Sequence, residues 1–187
     1  MTKQELRQKI RQAKKQHTTI QLQTFSQSIT QSLLERIHKW KHERDLQLNT
    51  KRTCCILLYH SLPDEVDTHD LIHTLHEQGY TLLLPTVEGD DLSLHIYEGD
   101  HKLDIGMAYG IQESQGPLFT NYSSIDLAII PGMAFTREGA RLGRGKGYYD
   151  RLLQHLHCPL IGIAFPFQIL PYIPTEPHDI AMNEVFY

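Results

Sequence analysis

Residues 124–165 read SIDLAIIPGMAFTREGARLGRGKGYYDRLLQHLHCPLIGIAF. The first nine are mostly apolar, close on a Pro-Gly turn and predict a buried strand. The last eight, CPLIGIAF, predict another. Between them Tyr149, Leu152, Leu153 and Leu156 recur at helical spacing, so a helix is expected over Lys146 to His157. Strands that are apolar throughout, joined by a helix, belong to a parallel sheet covered on both faces.

The pattern extends toward the N-terminus. TCCILLYH (53–60) and YTLLLPTV (80–87) predict buried strands, and LSLHIYE (92–98) alternates like a third. Asp67 to Gln78 predicts a helix that Gly79 ends. Ahead of these lies a helical region. Thr2 and Glu5 suit a capping box, with Leu6, Ile10 and Ala13 on one face. A second helix is expected over Thr24 to Asp45, its stripe formed by Ile29, Leu33, Leu34, Ile37 and Trp40. The fold class expected is α/β with a mainly parallel sheet, in which ligands bind beyond the C-terminal ends of the strands.

The chain has 187 residues, 40% hydrophobic and 21% charged. That suits one domain over 1–187, with a helical part (1–50) against an α/β body, and excludes general disorder, collagen and a coiled coil. The net charge of −4 is uneven: residues 1–52 sum to +8 and the rest to −12. A basic N-terminal third suggests an anionic partner or contact with the acidic body. Ile125 to Phe135 is too short and interrupted to span a bilayer. MTKQELRQKIRQAKKQ has no apolar segment after its basic residues, so no secretory signal and a cytoplasmic location are expected. Three cysteines without CxxC spacing give neither a disulfide framework nor a zinc site; adjacent Cys54 and Cys55 are expected on opposite sides of a strand, as buried filler.

The chemistry is concentrated in residues 131–153. Glycines at 139, 143, 145 and 147 alternate with Arg141, Arg144 and Lys146. Such a loop lets backbone N–H groups approach a ligand, and three cations make it an anion site, most suited to phosphate. It is neither a Walker A motif nor a dinucleotide fingerprint. A glycine-rich turn with solvated charges is the plainer alternative. Tyr149 belongs to the packing stripe, whereas Tyr148 points elsewhere and suits stacking on a ligand ring. Asp150 meets a bound anion only through a cation such as Mg²⁺; otherwise it pairs with a nearby arginine.

With PG-x-AF…G-x-RLG-x-G-x-GYYDR the sequence resembles the 5-formyltetrahydrofolate cyclo-ligase family, also called methenyltetrahydrofolate synthetases. Weaker matches are KQELR, SLPDEVDT, LPTV, YGIQE, GIAF-x-x-Q and PTEPHDIAMNEV. The resemblance implies a three-layer α/β/α fold, like that of ribose-5-phosphate isomerase and the CoA transferases. It implies ATP- and Mg²⁺-dependent conversion of 5-formyltetrahydrofolate to 5,10-methenyltetrahydrofolate through a phosphorylated N5-formyl intermediate, with ADP and phosphate released. ATP contacts are implied at Lys3, Gln4, Glu5, Leu6 and Arg7. They are implied also at Arg141, Leu142 and Gly143, through Arg144, Gly145, Lys146, Gly147 and Tyr148, to Tyr149. Substrate contacts are implied at His60 and Glu65 and at Arg144 to Tyr148, and Mg²⁺ ligands at Asp150 and Asp179. Arg144 and Lys146 are the candidates for neutralising charge during phosphoryl transfer.

Read without the resemblance, Lys3, Arg7 and Lys14 form a solvated basic face, Asp179 is a turn residue and Glu65 a charged residue near a helix start. The sequence departs from the family pattern at Thr86, at Leu92-Ser93-Leu94, at GIQES and at Asn183. Of 12 histidines, His69, His73 and His76 share a helix face and His38 pairs with His42. Surface histidines fit better than a zinc site, since nothing completes a ligand set. Other readings are a sugar-phosphate isomerase on a related fold, a non-catalytic binder and a nucleic-acid binder. The acidic body and the lack of an aromatic-basic motif oppose the last. The expectation is a monomer acting on small molecules, with no nucleic-acid or membrane partner.

Overall fold

The computed structural model describes residues 1–49, 51–106, 112–177 and 179–187. Helices α1 (Lys3–Lys14) and α2 (Thr19–Leu48) come first. Both begin in capping boxes, Thr2 with Glu5 and Thr18 with Gln21, which satisfy amide groups that the first turn leaves open. The second helix is therefore longer than its apolar stripe predicts. Thr18 starts it earlier, and Asn49 in the left-handed conformation, φ 46°, ends it later.

Strand β1 (Cys55–Leu57), helix α3 (His69–Glu77), β2 (Thr81–Glu88) and β3 (Asp91–Ile96) follow. Then come β4 (Leu103–Ile105), β5 (Gln112–Ser114), β6 (Leu118–Phe119) and β7 (Leu127–Ile130). The short pair β8 (Ala134–Phe135) and β9 (Arg141–Leu142) leads to α4 (Tyr148–Leu153), β10 (Leu160–Ile163) and β11 (Glu184–Phe186). Two predicted helices are shorter than expected. Asp67 stays outside α3 and accepts the His69 N–H at 3.0 Å. Helix α4 is delayed to Tyr148 because Gly145 and Gly147 take φ of 100° and 75°.

Seven strands form one sheet in the order β11-β10-β7-β1-β2-β3-β6. The first five pair in parallel; β3 and β6 close the edge antiparallel. Alternation along the strands sorts the core into two layers. Cys54, Ile56 and Leu58 join Leu82, Leu84, Ile129 and Ile163 on the face covered by α2 and α3. Cys55 and Leu57 join Leu83, Ala128, Ile130 and Leu160 on the face covered by α4. The result is the three-layer α/β/α arrangement, and the adjacent cysteines do point to opposite layers. Burial pushes the Cys55 thiol up to about 12.

A smaller cluster positions the site. Leu6 and Ile10 of α1 pack with Met133, Ala134 and Leu142 around the β8–β9 hairpin, and with Leu170 and Ile173. At the far edge, the Asn183 side chain accepts the Leu160 N–H at 2.7 Å while its own N–H donates to the Leu160 carbonyl at 2.8 Å. That clip aligns the start of β11 on β10, so the departure at Asn183 has a structural use.

Leu33 of α2 is fully buried against the first layer. Leu33→Ala is expected to lower unfolding free energy by about 2–5 kcal/mol, the range for a core leucine that leaves a cavity. Denaturant unfolding measures it; a loss under about 1 kcal/mol would mean that α2 is not anchored there.

Candidate active site

The parallel strands β1, β2 and β7 all deliver their C-terminal ends to one edge of the sheet. A cavity of about 870 Å³, measured out to open solvent, lies there. Its wall takes Tyr59, His60 and Leu62 from beyond β1, Pro85 and Val87 from β2, and Pro131 and Gly132 from beyond β7. The loop from Gly143 to Gly147 closes one side, with Tyr148, Tyr149 and Asp150 of α4. Gln168, buried behind the Pro-Gly turn, donates to the Gly132 and Met133 carbonyls at 3.2 and 2.9 Å and so fixes the floor.

The three loop cations are used differently. Arg141 is buried and turned inward: it donates to the Pro131 carbonyl at 3.1 Å, pairs with Asp150 and lies over the Tyr149 ring. Arg144 donates to Glu65 Oε1 from Nε at 3.1 Å and from Nη2 at 3.0 Å, and Nη2 also meets Asp64. Lys146 is exposed and has no ion-pair partner among the described residues. Of the two tyrosines, Tyr148 donates to the Gly89 carbonyl at 3.3 Å beneath Arg151, and Tyr149 both packs on the second core layer and lines the cavity.

Arg144 stands between two neighbouring carboxyl groups that titrate in opposite directions. Burial raises Glu65, and Arg144 with the Leu62 N–H only partly offsets it. Burial would raise Asp64 too, but Arg144 and Lys14, 3.4 Å away, hold it below the usual carboxylate range. Lys14 itself is pushed down by burial despite Asp64. Perturbed groups cluster at functional sites, and of the two carboxyls Glu65 is the one that lines the cavity.

Among Lys3 to Arg7, Arg7 reaches the loop. Its Nε donates to the Gly143 carbonyl at 2.8 Å, and its guanidinium lies 3.3 Å from where a Cβ on Gly145 would stand. Lys3 instead holds Asp179 at 2.8 Å and Glu176 at 3.4 Å. Gln4 is exposed, Glu5 serves the helix cap and Leu6 is core. None of the five lines the cavity, nor does Leu142. Asp150 lines it; Asp179 does not, and also accepts the Glu176 N–H at 2.8 Å. His178, in the matched PHD, lies outside the described residues.

His60 lines the cavity with Nδ1 3.2 Å from His69 Nε2. Burial first, then His69, depresses it to about 4, so it is neutral at pH 7. His69 and His73 each meet an aspartate, Asp67 and Asp100, and His38 meets Gln78. Among the described residues no three His, Cys, Asp or Glu side chains are grouped to hold a metal ion.

The profile of the 5-formyltetrahydrofolate cyclo-ligase family matches residues 1–187. The chain belongs to that family. It is thereby an enzyme, a cyclo-ligase. A mouse 5-formyltetrahydrofolate cyclo-ligase is 32% identical over 153 residues, 74% of each chain. One from Mycolicibacterium smegmatis is 31% identical over 148 residues, 75% of each. The NMR structure of Aquifex aeolicus 5,10-methenyltetrahydrofolate synthetase is 31% identical, with a TM-score of 0.80 over 100% of this chain and 89% of that one. A synthetase from Mycoplasma pneumoniae is 26% identical, with a TM-score of 0.76 over 99% and 98%.

Within this cyclo-ligase the departures have distinct places. Thr86 alternates away from Pro85 and Val87, which line the cavity; its hydroxyl is buried without a partner among the described residues. Leu92 lines the cavity and Leu94 is core, while Ser93 meets His95 at 3.1 Å. Of GIQES, Gly110 and Ile111 lie outside the described residues, as does Tyr109 of YGIQE; Glu113 is buried in the cavity wall. Residue chemistry overlooked Asp64, Glu113 and Gln168, although the motifs SLPDEVDT, YGIQE and GIAF-x-x-Q contain them.

Arg144→Ala removes the cation beside Glu65 but leaves its burial. The Glu65 midpoint is expected to rise further, read by carbon-13 NMR of the side-chain carboxyl. An unchanged or lower midpoint would show that the pair does not form in solution. In the folded protein a raised carboxyl favours stability below its unfolded midpoint and costs stability as pH rises through the folded one. The variant is therefore expected to lose stability most above the folded Glu65 midpoint.

Proposed function

We propose that the chain cyclises 5-formyltetrahydrofolate to 5,10-methenyltetrahydrofolate, using ATP with Mg²⁺ and releasing ADP and phosphate. One observation carries this reading. In a member of this family, the Arg144–Gly147 loop and the half-buried Glu65 share a single cavity at the strand ends. In this reading residues 1–187 act as one domain, a cytoplasmic monomer working on small molecules. Among the described residues no helix is long and apolar enough to cross a membrane.

The formyl oxygen attacks the γ-phosphorus of ATP and ADP leaves. The N5-formyl carbon, now bearing a phosphate ester, is attacked by N10. N10 loses its proton, the carbon–oxygen bond breaks and phosphate departs. The protein's task is to position the reactants and stabilise charge. Lys146, free and exposed, is suited to the γ-phosphate. Arg144 is suited to leave Glu65 and Asp64 for the phosphates, which frees Glu65 to accept N–H donors from the pterin ring.

Mg²⁺ binds with one or two carboxylates plus substrate phosphates. Asp150 fits that role, since it lines the cavity beside the loop and trades only an arginine contact. Asp179 does not fit as it stands: it holds Lys3 and the Glu176 N–H and is absent from the cavity lining. When bound, the ion would supply charge neutralisation at the phosphates.

The test is absorbance of the conjugated methenyl bridge, followed with 5-formyltetrahydrofolate and Mg²⁺, with and without ATP. Product that forms only with ATP is expected; none in either case overturns the reading. Lys146→Ala is expected to lower turnover about 10²-fold, the scale for losing a transition-state charge partner. Near-normal turnover of the folded variant would remove Lys146 from that role.

A further inference from the structure

Three carboxyl side chains line the cavity that have no place in the loop's own glycine-cation pattern, or that face it: Glu65, Asp150 and Glu113. Two of them hold an arginine, Arg144 and Arg141 respectively. Glu113 does not. It is 6% exposed, forms no ion pair among the described residues, and accepts one hydrogen bond, from the Val87 N–H at 3.3 Å. A carboxylate offers about four acceptor positions, and burying one with so few donors is unfavourable unless something else supplies them.

The surroundings hold this group in place. A Cβ on Gly106 would lie 2.3 Å from the Glu113 carboxyl carbon, so the side chain fills a slot beside bare backbone. Val87, whose N–H it accepts, and Leu92 stand opposite each other on β2 and β3, and both line the same wall. Among the described residues, Pro85, Val87 and Leu92 make that wall apolar apart from this one acceptor. A ligand laid against it meets a fixed carboxylate that needs N–H donors and has no cation to share.

We propose that Glu113 is a specificity-determining residue that accepts hydrogen bonds from N–H donors of the substrate's reduced pterin ring, a second acceptor beside Glu65. This rests on the folate reading of the cavity. The two carboxylates divide the work. Glu65 exchanges an arginine for the ligand, whereas Glu113 is already open and contributes from first contact. The amino group of adenine is the other N–H donor in the reaction, so the test must separate folate from nucleotide.

Glu113→Ala and Glu113→Gln are compared with wild type by calorimetric titration with 5-formyltetrahydrofolate and, separately, ATP, with melting temperature recorded. Glu113→Ala is expected to weaken folate binding about tenfold or more, with ATP affinity within about twofold. Glutamine that keeps its oxygen on the Val87 N–H turns an NH2 donor toward the N–H donors of the ring, so Glu113→Gln is expected to lose about threefold or more. If the alanine variant does not fold, the glutamine variant decides alone. Folate affinity within about twofold of wild type overturns the proposal. So does weakening of ATP binding alone, which assigns Glu113 to adenine, or a joint fall of folate affinity, ATP affinity and melting temperature, which makes Glu113 a clip between β5 and β2. Wild type that neither binds nor converts 5-formyltetrahydrofolate overturns both this and the function it rests on, and is thereby distinct from a failure of Glu113 alone.

Discussion

Parallel pairing of β10, β7, β1 and β2 is the constraint on which the rest depends. Parallel strands end on the same edge, so every loop that leaves a C-terminal end arrives near the others. Tyr59 to Glu65, Pro85 to Val87 and Pro131 to Tyr149 are far apart in sequence, and this edge alone brings them around one cavity. The pairing is held by two apolar layers, not one. Each strand residue faces either α2 and α3 or α4, and a one-residue slip would exchange the two sets.

The electrostatics of the cavity follow from how deeply each group is set, more than from how many charges there are. Asp64 and Glu65 are neighbours and share Arg144, yet they move in opposite directions. Asp64 gains Lys14 as well, and its cations prevail over burial. Glu65 is enclosed more deeply, and burial prevails over its single cation. Arg144 thus spans a firmly ionised carboxylate and a reluctant one. A group held that way is easily drawn to an arriving anion, because one of its two partners gives it up at low cost.

Much of this was legible in the chain. Apolar runs gave the strands because strands buried on both faces have no polar alternation to hide them. Helix limits were less legible, since they depend on caps: Thr18, Asn49 and the positive φ of Gly147 moved them by several residues. The glycine-cation loop stood out, but the partners of its cations did not. Nothing in the order of residues says that Arg141 turns inward to Asp150, that Arg144 meets Glu65, or that Lys3 takes Asp179. Those pairings are made across the fold. Glu113 was invisible for the same reason: a lone glutamate in a motif carries no sign of its burial.

The glycine loop is braced from both sides of the sequence. Arg7, Leu6 and Ile10 hold it from α1, and from the other side the Met182 N–H donates to the Gly139 carbonyl at 2.8 Å. There is no space between those two backbones: a Cβ on Gly139 would stand 2.1 Å from the Met182 oxygen. A nascent chain therefore makes the loop before the segment around Met182 that locks it. The loop's packing is completed only after the Met182 segment has joined it, and a chain cut before Met182 has the sheet's central strands without that brace.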